Sequence, residues 1–528
     1  MESLYDIWFD NPRFWFSATE ADNDYLKANF GKWIRKYSNC EETIKNFITL
    51  IILYDQIPRN IKMRQDAYDI IAKHYAYKLR EISNNYRDLN AIEWCFAMLP
   101  FRHSNNVELI HEVIEGTWKR IYNSVNQNDI QIYKKYLRAS YEKCPYDLHK
   151  VKTIYPINNL WNAAKYKNIL EYAPCEFAIL KMNNNKIVNA FIDILDNERP
   201  NNIIISLSGG VDSMVSSLIL HNLQAEYKYS LCAVHINYTN RESCTDEENM
   251  LENWCGFLNM PLHIRRLSEI KRNECMKYEL RTTYESYTKR MRFLTYKYAA
   301  SGGVTANITD MPFVILGHNY DDVTENILTN IAQKTKYDSL SGMEKISIQD
   351  DIKFVRPMLE ISKAEIYDFS KIYNVPHLTT STPEWSMRGK IRDIVKPALL
   401  KLNTNIMSSL VALSDAVKDM SVILDKHIDK IIEETEINEN SYKIIIPLCD
   451  LLSKKIFWQK YINKITNQQI SLQCSIFLEE KIDRFKRDAK IKTMKISLSK
   501  TMRIYFTKES DSCEIKICIL CVDGKKTQ

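Results

Sequence analysis

Glycine is scarce in this chain, with 11 residues in 528. No two of them stand two apart, which excludes the G-x-G-x-x-G turn of dinucleotide-binding folds. None is followed by Lys-Ser or Lys-Thr, which excludes the common phosphate loop of nucleoside triphosphatases. No apolar run approaches the roughly 18–20 residues that cross a bilayer, and Met1-Glu2-Ser3-Leu4-Tyr5-Asp6 lacks the basic start and apolar core of a secretion signal. A soluble, cytoplasmic protein without a membrane partner is expected. The 13 cysteines are scattered, and the one C-x-x-C, Cys518 to Cys521, sits in an apolar, strand-like run. A single pair cannot supply the four ligands of a structural zinc site, and reduced thiols fit this usage. Net charge is only +6, mild for a nucleic-acid binder.

What is present points to a globular chain of two to four domains, with 45% apolar and 26% charged residues. Two adjacent glycines, Gly209 and Gly210, stand between the β-branched run Ile203-Ile204-Ile205-Ser206-Leu207-Ser208 and Val211-Asp212-Ser213-Met214-Val215. The pattern predicts a buried strand, a tight loop and a helix. Such a loop gathers backbone N–H groups, the hydroxyls of Ser208 and Ser213 and the positive end of the helix around one anion. An ordinary turn built of small residues is the alternative. Asp212, an acceptor when ionised, suits Mg²⁺ or the orienting of the loop.

From residue 202 strands alternate with helices, which predicts a doubly wound parallel sheet with ligands beyond the carboxyl ends of its strands. Gly317-His318-Asn319-Tyr320-Asp321-Asp322-Val323-Thr324-Glu325 follows a strand at 313–316 and so falls at such an end. Asp322 and Glu325 share one helix face. With Asp321 they favour a cation, either Mg²⁺ or an amine substrate; acids stabilised by a helix dipole are the alternative. Ser301-Gly302-Gly303 reads as a helix end.

The flanks differ. Residues 1–140 are helical in pattern and rich in aromatics, a separate helical domain. There Asp55, Gln56, Arg59 and His103 line a polar cleft or join helices as a buried ion-pair network. Residues 141–200, with Pro145, Pro156 and Pro174 and a helical run at 177–182, form a bridge; 201–400 is the nucleotide domain and 401–528 a helical, basic region. Lys481 to Arg503 holds nine Lys or Arg, Lys500 among them, against Asp483 and Asp488, more positive charge than the whole chain. It is a solvated helix face or a phosphate-contacting patch. Strand-like runs at 504–506 and 515–520 close the chain.

Ser208-Gly209-Gly210-Val211-Asp212-Ser213 resembles the pyrophosphate-binding loop of the PP-loop ATP-pyrophosphatases. That resemblance implies that these six residues bind ATP and that an adenylate forms with release of pyrophosphate. Within the group the order of parts is similar to the tRNA(Ile)-lysidine synthase family over about residues 202–400. The likeness rests on the loop, His235 and Asn237 with Arg241, Lys289 and Arg292, His318 with Asp321, Asp322 and Glu325, Leu340 to Met343, Arg356-Pro357, and Arg388 with Ile391-Arg392 and Pro397. It implies an ATP- and Mg²⁺-using ligase that attaches L-lysine to the wobble cytidine of an isoleucine tRNA. Asp212, His318, Asp322 and Glu325 would be catalytic; Asp322, Glu325, Lys289, Arg292, Arg388 and Arg392 would bind substrate; Asp212 and Asp321 would hold Mg²⁺. Asn319 and Val323 stand where that family commonly has His and Gln. A PP-loop tRNA thiolase, which usually carries paired cysteines that this sheet lacks, and a non-catalytic RNA-binding scaffold are the other readings. In residues 1–140, Trp8-Phe9-Asp10, Phe14-Trp15-Phe16, the stretch 50–60 and Met98 to Ser104 resemble the bacterial family of unknown function numbered 924, an all-helical fold, here expected to be an accessory module. The fold class expected is multidomain α and α/β: an all-helical N-terminal domain, a doubly wound parallel-sheet PP-loop domain and a mostly helical C-terminal region.

Overall fold

A computed structural model describes residues 2–16, 18–35, 41–63, 66–157, 161–172, 185–240, 243–302, 311–333, 339–379, 387–438, 441–447, 452, 454–468, 470–499, 502–508 and 512–519. Arg241, Lys500, Cys521 and the run 177–182 lie outside the described residues. The chain forms two compact units, residues 1–320 with 345–381 and residues 321–344 with 382–528.

The first unit opens with helices whose starts are written in the sequence. Thr19 with Asp22 and Asn90 with Glu93 form capping boxes. In the helix Val107–Asn123 the buried Ile110, Val113, Ile114, Thr117, Trp118 and Ile121 recur at helical spacing along one stripe. Aromatic rings fill the core, with Trp8, Phe9 and Trp15 all meeting Phe96 edge-on. The same core runs on into Leu267, Ile270, Cys275, Leu280, Tyr284, Tyr287 and Met291. Arg290, in the helix Arg281–Ala300, donates to the carbonyls of Tyr141 and Cys144 at 2.6 and 2.8 Å and to that of Glu142 at 2.6 Å. It thereby satisfies orphan carbonyls at the end of the helix Gln127–Lys143. The expected boundaries at 140 and 200 fall inside this unit.

Beyond the helices stands a seven-stranded sheet of β1 (Val151–Ile154), β3 (Asn202–Ser206), β4 (Ser230–Asn237), β5 (Leu262–Arg266), β6 (Phe313–Ile315), β7 (Ile346–Gln349) and β8 (Ile352–Val355), in the order β1-β5-β4-β3-β6-β8-β7. Its five central strands are parallel, with β1 and β7 antiparallel at the edges. Ile203, Ile205 and Ile264 belong to the core on one face; Ile204, Val234 and Phe354 meet Phe293 and Tyr296 on the other. Burial on both faces explains why these strands read as unbroken apolar runs. The first parallel strand, β3, lies between β4 and β6, so the strand order reverses at the β3/β6 boundary. A small pair, β2 (Leu170–Tyr172) and β9 (His377–Leu378), packs beside it.

The second unit is mostly helical, as expected, but it also holds a five-stranded antiparallel sheet. Its strands are β10 (Glu436–Asn438), β11 (Ser441–Pro447), β12 (Thr493–Ser497), β13 (Met502–Lys508) and β14 (Ser512–Ile519), in the order β10-β11-β14-β13-β12. Only β13 and β14 were signalled by apolar runs. Met502, Ile504 and Phe506 turn inward to Phe457, Trp458, Leu478 and Phe485, while Arg503 and Tyr505 face the other way. The basic segment from Lys481 is therefore spread over the end of the helix Leu472–Arg487 and two strands instead of one helix face. Among the described residues no helix is long and apolar enough to cross a membrane.

Arg290→Ala should lower the stability of the first unit by about 2 kcal/mol, the net worth of charge-assisted hydrogen bonds. Calorimetry should show its transition move to lower temperature; an unchanged transition would mean that Arg290 does not tie the helices to the sheet.

Candidate active site

The reversal of strand order sends the chain from β3 and from β6 to opposite faces of the sheet, and the crevice that opens at their carboxyl ends is where such folds bind ligands. The glycine loop and the stretch Gly317-His318-Asn319 both lie there. After β3, the Leu207 carbonyl accepts from His235 Nδ1 at 2.9 Å. Gly209 then takes φ +83, a left-handed conformation, and a Cβ added there would collide with Leu378 of β9. The Leu378 N–H closes the contact by donating to the Gly209 carbonyl at 3.0 Å. Ser213 Oγ receives the Ser208 N–H at 3.1 Å and donates to the Gly210 carbonyl at 3.0 Å, which folds the loop back on itself. The helix Val211–Tyr227 begins at Gly210 with no side-chain cap, so the N–H groups of its first turn are left for an anion. This donor-rich, closely approached backbone fits a triphosphate.

Asp212 is held from two sides. Asn319 Nδ2 donates to one carboxylate oxygen at 2.9 Å and Lys363 Nζ to the other at 2.6 Å. Gly317 is what lets the β6 loop approach: a Cβ there would stand 3.0 Å from Asp212 Cβ and 3.1 Å from the Ser213 nitrogen. His318 Nδ1 accepts from Arg356 Nε at 3.2 Å, and Arg356 also donates to Ser347 Oγ at 3.0 Å. Lys363 was not singled out in the sequence. Its one local signal is the capping box of Ser362 and Glu365, which starts the helix Lys363–Ile372 and fixes where the lysine emerges.

In the second unit, Asp321, Asp322 and Glu325 each meet a cation four residues from the next. Glu325, only 1% exposed, binds Arg392 through both oxygens at 2.8 and 3.1 Å. That hydrogen bonding raises the Arg392 pKa further above its ordinary value. Arg388 stands 3.9 Å from Asp322, and Lys396 bonds Asp321. Four residues expected to bind substrate, Asp322, Glu325, Arg388 and Arg392, are thus gathered in one cluster. Lys289 and Arg292, in the first unit, each lie over the Phe293 ring, at 5.1 and 5.8 Å from its centre. One turn on, Tyr296 donates to Ser206 Oγ at 2.8 Å and so anchors that helix to the strand feeding the loop.

Among the described residues no group of three or more His, Cys, Asp or Glu is arranged to hold a metal ion. Asp212 and Asp321 each engage a lysine, so these side chains do not fit a protein-held Mg²⁺. In the N-terminal helices Asp55 is fully buried, with His103 Nδ1 at 3.0 and 3.1 Å and Arg59 at 3.5 Å. Burial alone would raise its carboxyl, but the His103 hydrogen bond and the charges of His103 and Arg59 hold it below the usual range.

Gly209→Ala should cost at least about 1–2 kcal/mol from the left-handed backbone alone, with the Leu378 collision in addition. Thermal unfolding should show partial recovery in Gly209→Ala/Leu378→Ala, since that change relieves the collision and leaves the backbone strain.

Comparison with known proteins finds two family models in this chain. Residues 183–399 match the family model described as a PP-loop domain, and residues 4–146 match that of bacterial proteins of unknown function, DUF924. A tRNA(Ile)-lysidine synthase of Staphylococcus aureus (strain MRSA252) is 26% identical over 241 residues, 44% of this chain and 52% of the relative. One from Aster yellows witches'-broom phytoplasma (strain AYWB) is 28% identical over 209 residues, covering 39% and 43%. One from Streptococcus agalactiae serotype V is 24% identical over 269 residues, covering 51% and 57%. The chain spans about half the length of these curated relatives. A solved structure, the U34-tRNA thiolase NcsA from Methanococcus maripaludis with its 4Fe-4S cluster, matches at 17% identity and a TM-score of 0.34 over 44% of this chain and 79% of that one. Two different family models thus match separate stretches of one polypeptide, that of DUF924 at residues 4–146 and that of the PP-loop domain at residues 183–399.

Proposed function

We propose that this protein is an ATP-dependent tRNA-modifying ligase that joins lysine to the wobble cytidine of an isoleucine tRNA. The observation that carries the reading is the loop at the strand-order reversal, with its uncapped helix end and Asp212 held by Asn319 and Lys363. In this reading the base carbonyl oxygen attacks the α-phosphorus of ATP and pyrophosphate leaves; the lysine ε-amine then attacks the base carbon and AMP leaves. The loop N–H groups with Ser208 and Ser213 bind the phosphates, and Lys363 adds positive charge where the charge of pyrophosphate develops. The relatives' name supplies lysine and the tRNA; Asp322 and Glu325 supply acids suited to an ammonium. Both Glu325 oxygens already bind Arg392, so Glu325 positions that arginine and the ammonium falls to Asp322. His318, set by Arg356, is the candidate for proton transfer.

Residues 201–400 carry the chemistry in this scheme, 401–528 contact tRNA, and 1–140 with the bridge 141–200 are accessory. Arg388, Arg392 and Lys396 already meet acids, which leaves the C-terminal charges as the stronger tRNA contact. Lys495, Tyr505 and Lys516 pair across strands in one row on the face turned away from the core, with Lys495 5.4 Å from the Tyr505 ring centre; Lys443, next in the row, is paired with Glu514 at 3.0 Å. Basic side chains interleaved with an aromatic ring suit an RNA backbone.

Incubation of the full chain with ATP, lysine and tRNA should release AMP and pyrophosphate and give a nucleoside heavier by one lysyl group in mass analysis. Asp212→Ala should reduce turnover tenfold or more, on the order of one lost electrostatic contact. Asp322→Asn should raise the lysine KM more than the ATP KM. A product that carries sulfur for oxygen and ignores lysine would replace this reading with a thiolase, and release of ADP with phosphate would end it. The log–log salt slope of tRNA binding should fall by about one for each contacting lysine removed, such as Lys495→Ala or Lys516→Ala.

A further inference from the structure

The helix Ile406–Glu433, 28 residues long, carries a buried stripe and an exposed apolar one. The first, Met407, Ser414, Ser421 and Ile428, repeats every seven residues and is buried within the second unit, where Ser414 Oγ accepts the Ser341 N–H at 3.0 Å. The second, Leu413, Ala416, Met420 and Ile423, advances by three and four residues in turn, the repeat of a coiled-coil seam. It is open to solvent, with Leu413 51%, Met420 69% and Ile423 69% exposed. Two such seams on one helix bury two partners, and the second unit supplies one.

The charges beside the open stripe select its occupant. Asp419 and Lys426 flank the same edge one heptad apart, both exposed and, among the described residues, in no ion pair. A parallel, in-register pair of such helices would set these charges beside Leu424 and Ile431. An antiparallel pair layers Met420 on Ile423 of the second copy and sets Asp419 beside Lys426, twice by symmetry. We infer that the open face is the contact between two copies of this chain, whose Ile406–Glu433 helices lie antiparallel about a two-fold axis between Ser421 and Val422. A C2 pair is self-complementary, so one exposed acid and one exposed lysine on an edge are both satisfied. From Ser409 to His427 the seam is about 27 Å long at 1.5 Å per residue, which makes a small interface and a reversible dimer. This assembly is independent of which reaction the first unit performs.

Sedimentation of the full chain from about 1 to 100 μM should show a monomer–dimer equilibrium. Met420→Lys/Ile423→Lys should weaken it at least about a hundredfold without lowering the melting temperature, since both side chains are exposed. Lys426→Asp and Asp419→Lys should each weaken it about tenfold through like charges face to face. The double swap Asp419→Lys/Lys426→Asp should restore it, because an antiparallel pair keeps both attractions. A chain that stays monomeric throughout the range, or a dimer indifferent to the single swaps or not restored by the double swap, overturns the proposal.

Discussion

The first unit is arranged around one carboxylate. Asp212 can be met by Asn319 and Lys363 together only because three stretches far apart in sequence end at the same crevice: the loop after β3, the loop after β6 and the start of the helix Lys363–Ile372. The order of strands makes this possible, since reversal at β3 and β6 leaves a gap above their carboxyl ends that no crossover covers. Two glycines then set the distances. Gly209 allows Leu378 to close on the loop, and Gly317 allows the second loop to reach Asp212. In a chain with so few glycines, one stands against the Leu378 side chain and the other against the Asp212-Ser213 backbone, where no side chain would fit.

Much of this could be read from residue order. The apolar run, paired glycines and following helix predicted the strand, tight loop and helix before any geometry, because a left-handed turn and a close approach leave little choice of residue. Alternation of strands and helices gave the sheet, because parallel strands buried on both faces leave an unbroken apolar signature. What stayed hidden was long-range pairing. Nothing in Ser362-Lys363 says that the lysine meets an aspartate 151 residues earlier, and nothing in the spacing of Asp321, Asp322 and Glu325 says that Lys396, Arg388 and Arg392 respectively neutralise them. The strands β10, β11 and β12 were missed for a related reason. A strand buried on one face alternates apolar with polar residues, as Met494 and Ile496 do with Lys495 and Ser497 in β12, while β11 was passed over despite its run Ile444-Ile445-Ile446.

The neutralised acids also alter how the second cluster can work. A free carboxylate pair would bind a cation by charge alone, whereas in the proposed scheme Glu325 stays on Arg392 and a ligand at Asp322 must replace the charge of Arg388. A charged ammonium meets that demand and a neutral amine does not.

The helical core of the first unit is completed by side chains that come late in the chain. Residues 4–146 leave the ribosome well before Leu280, Tyr284, Tyr287 and Met291, which close that core and follow only after four strands of the sheet, β1, β3, β4 and β5, have been made. Until then the apolar surface they cover stays open. Synthesis therefore passes through a long interval in which the amino-terminal helices are present but unfinished, and a chaperone that shields them, or a pause in translation before residue 291, would decide how much of the polypeptide reaches its native state.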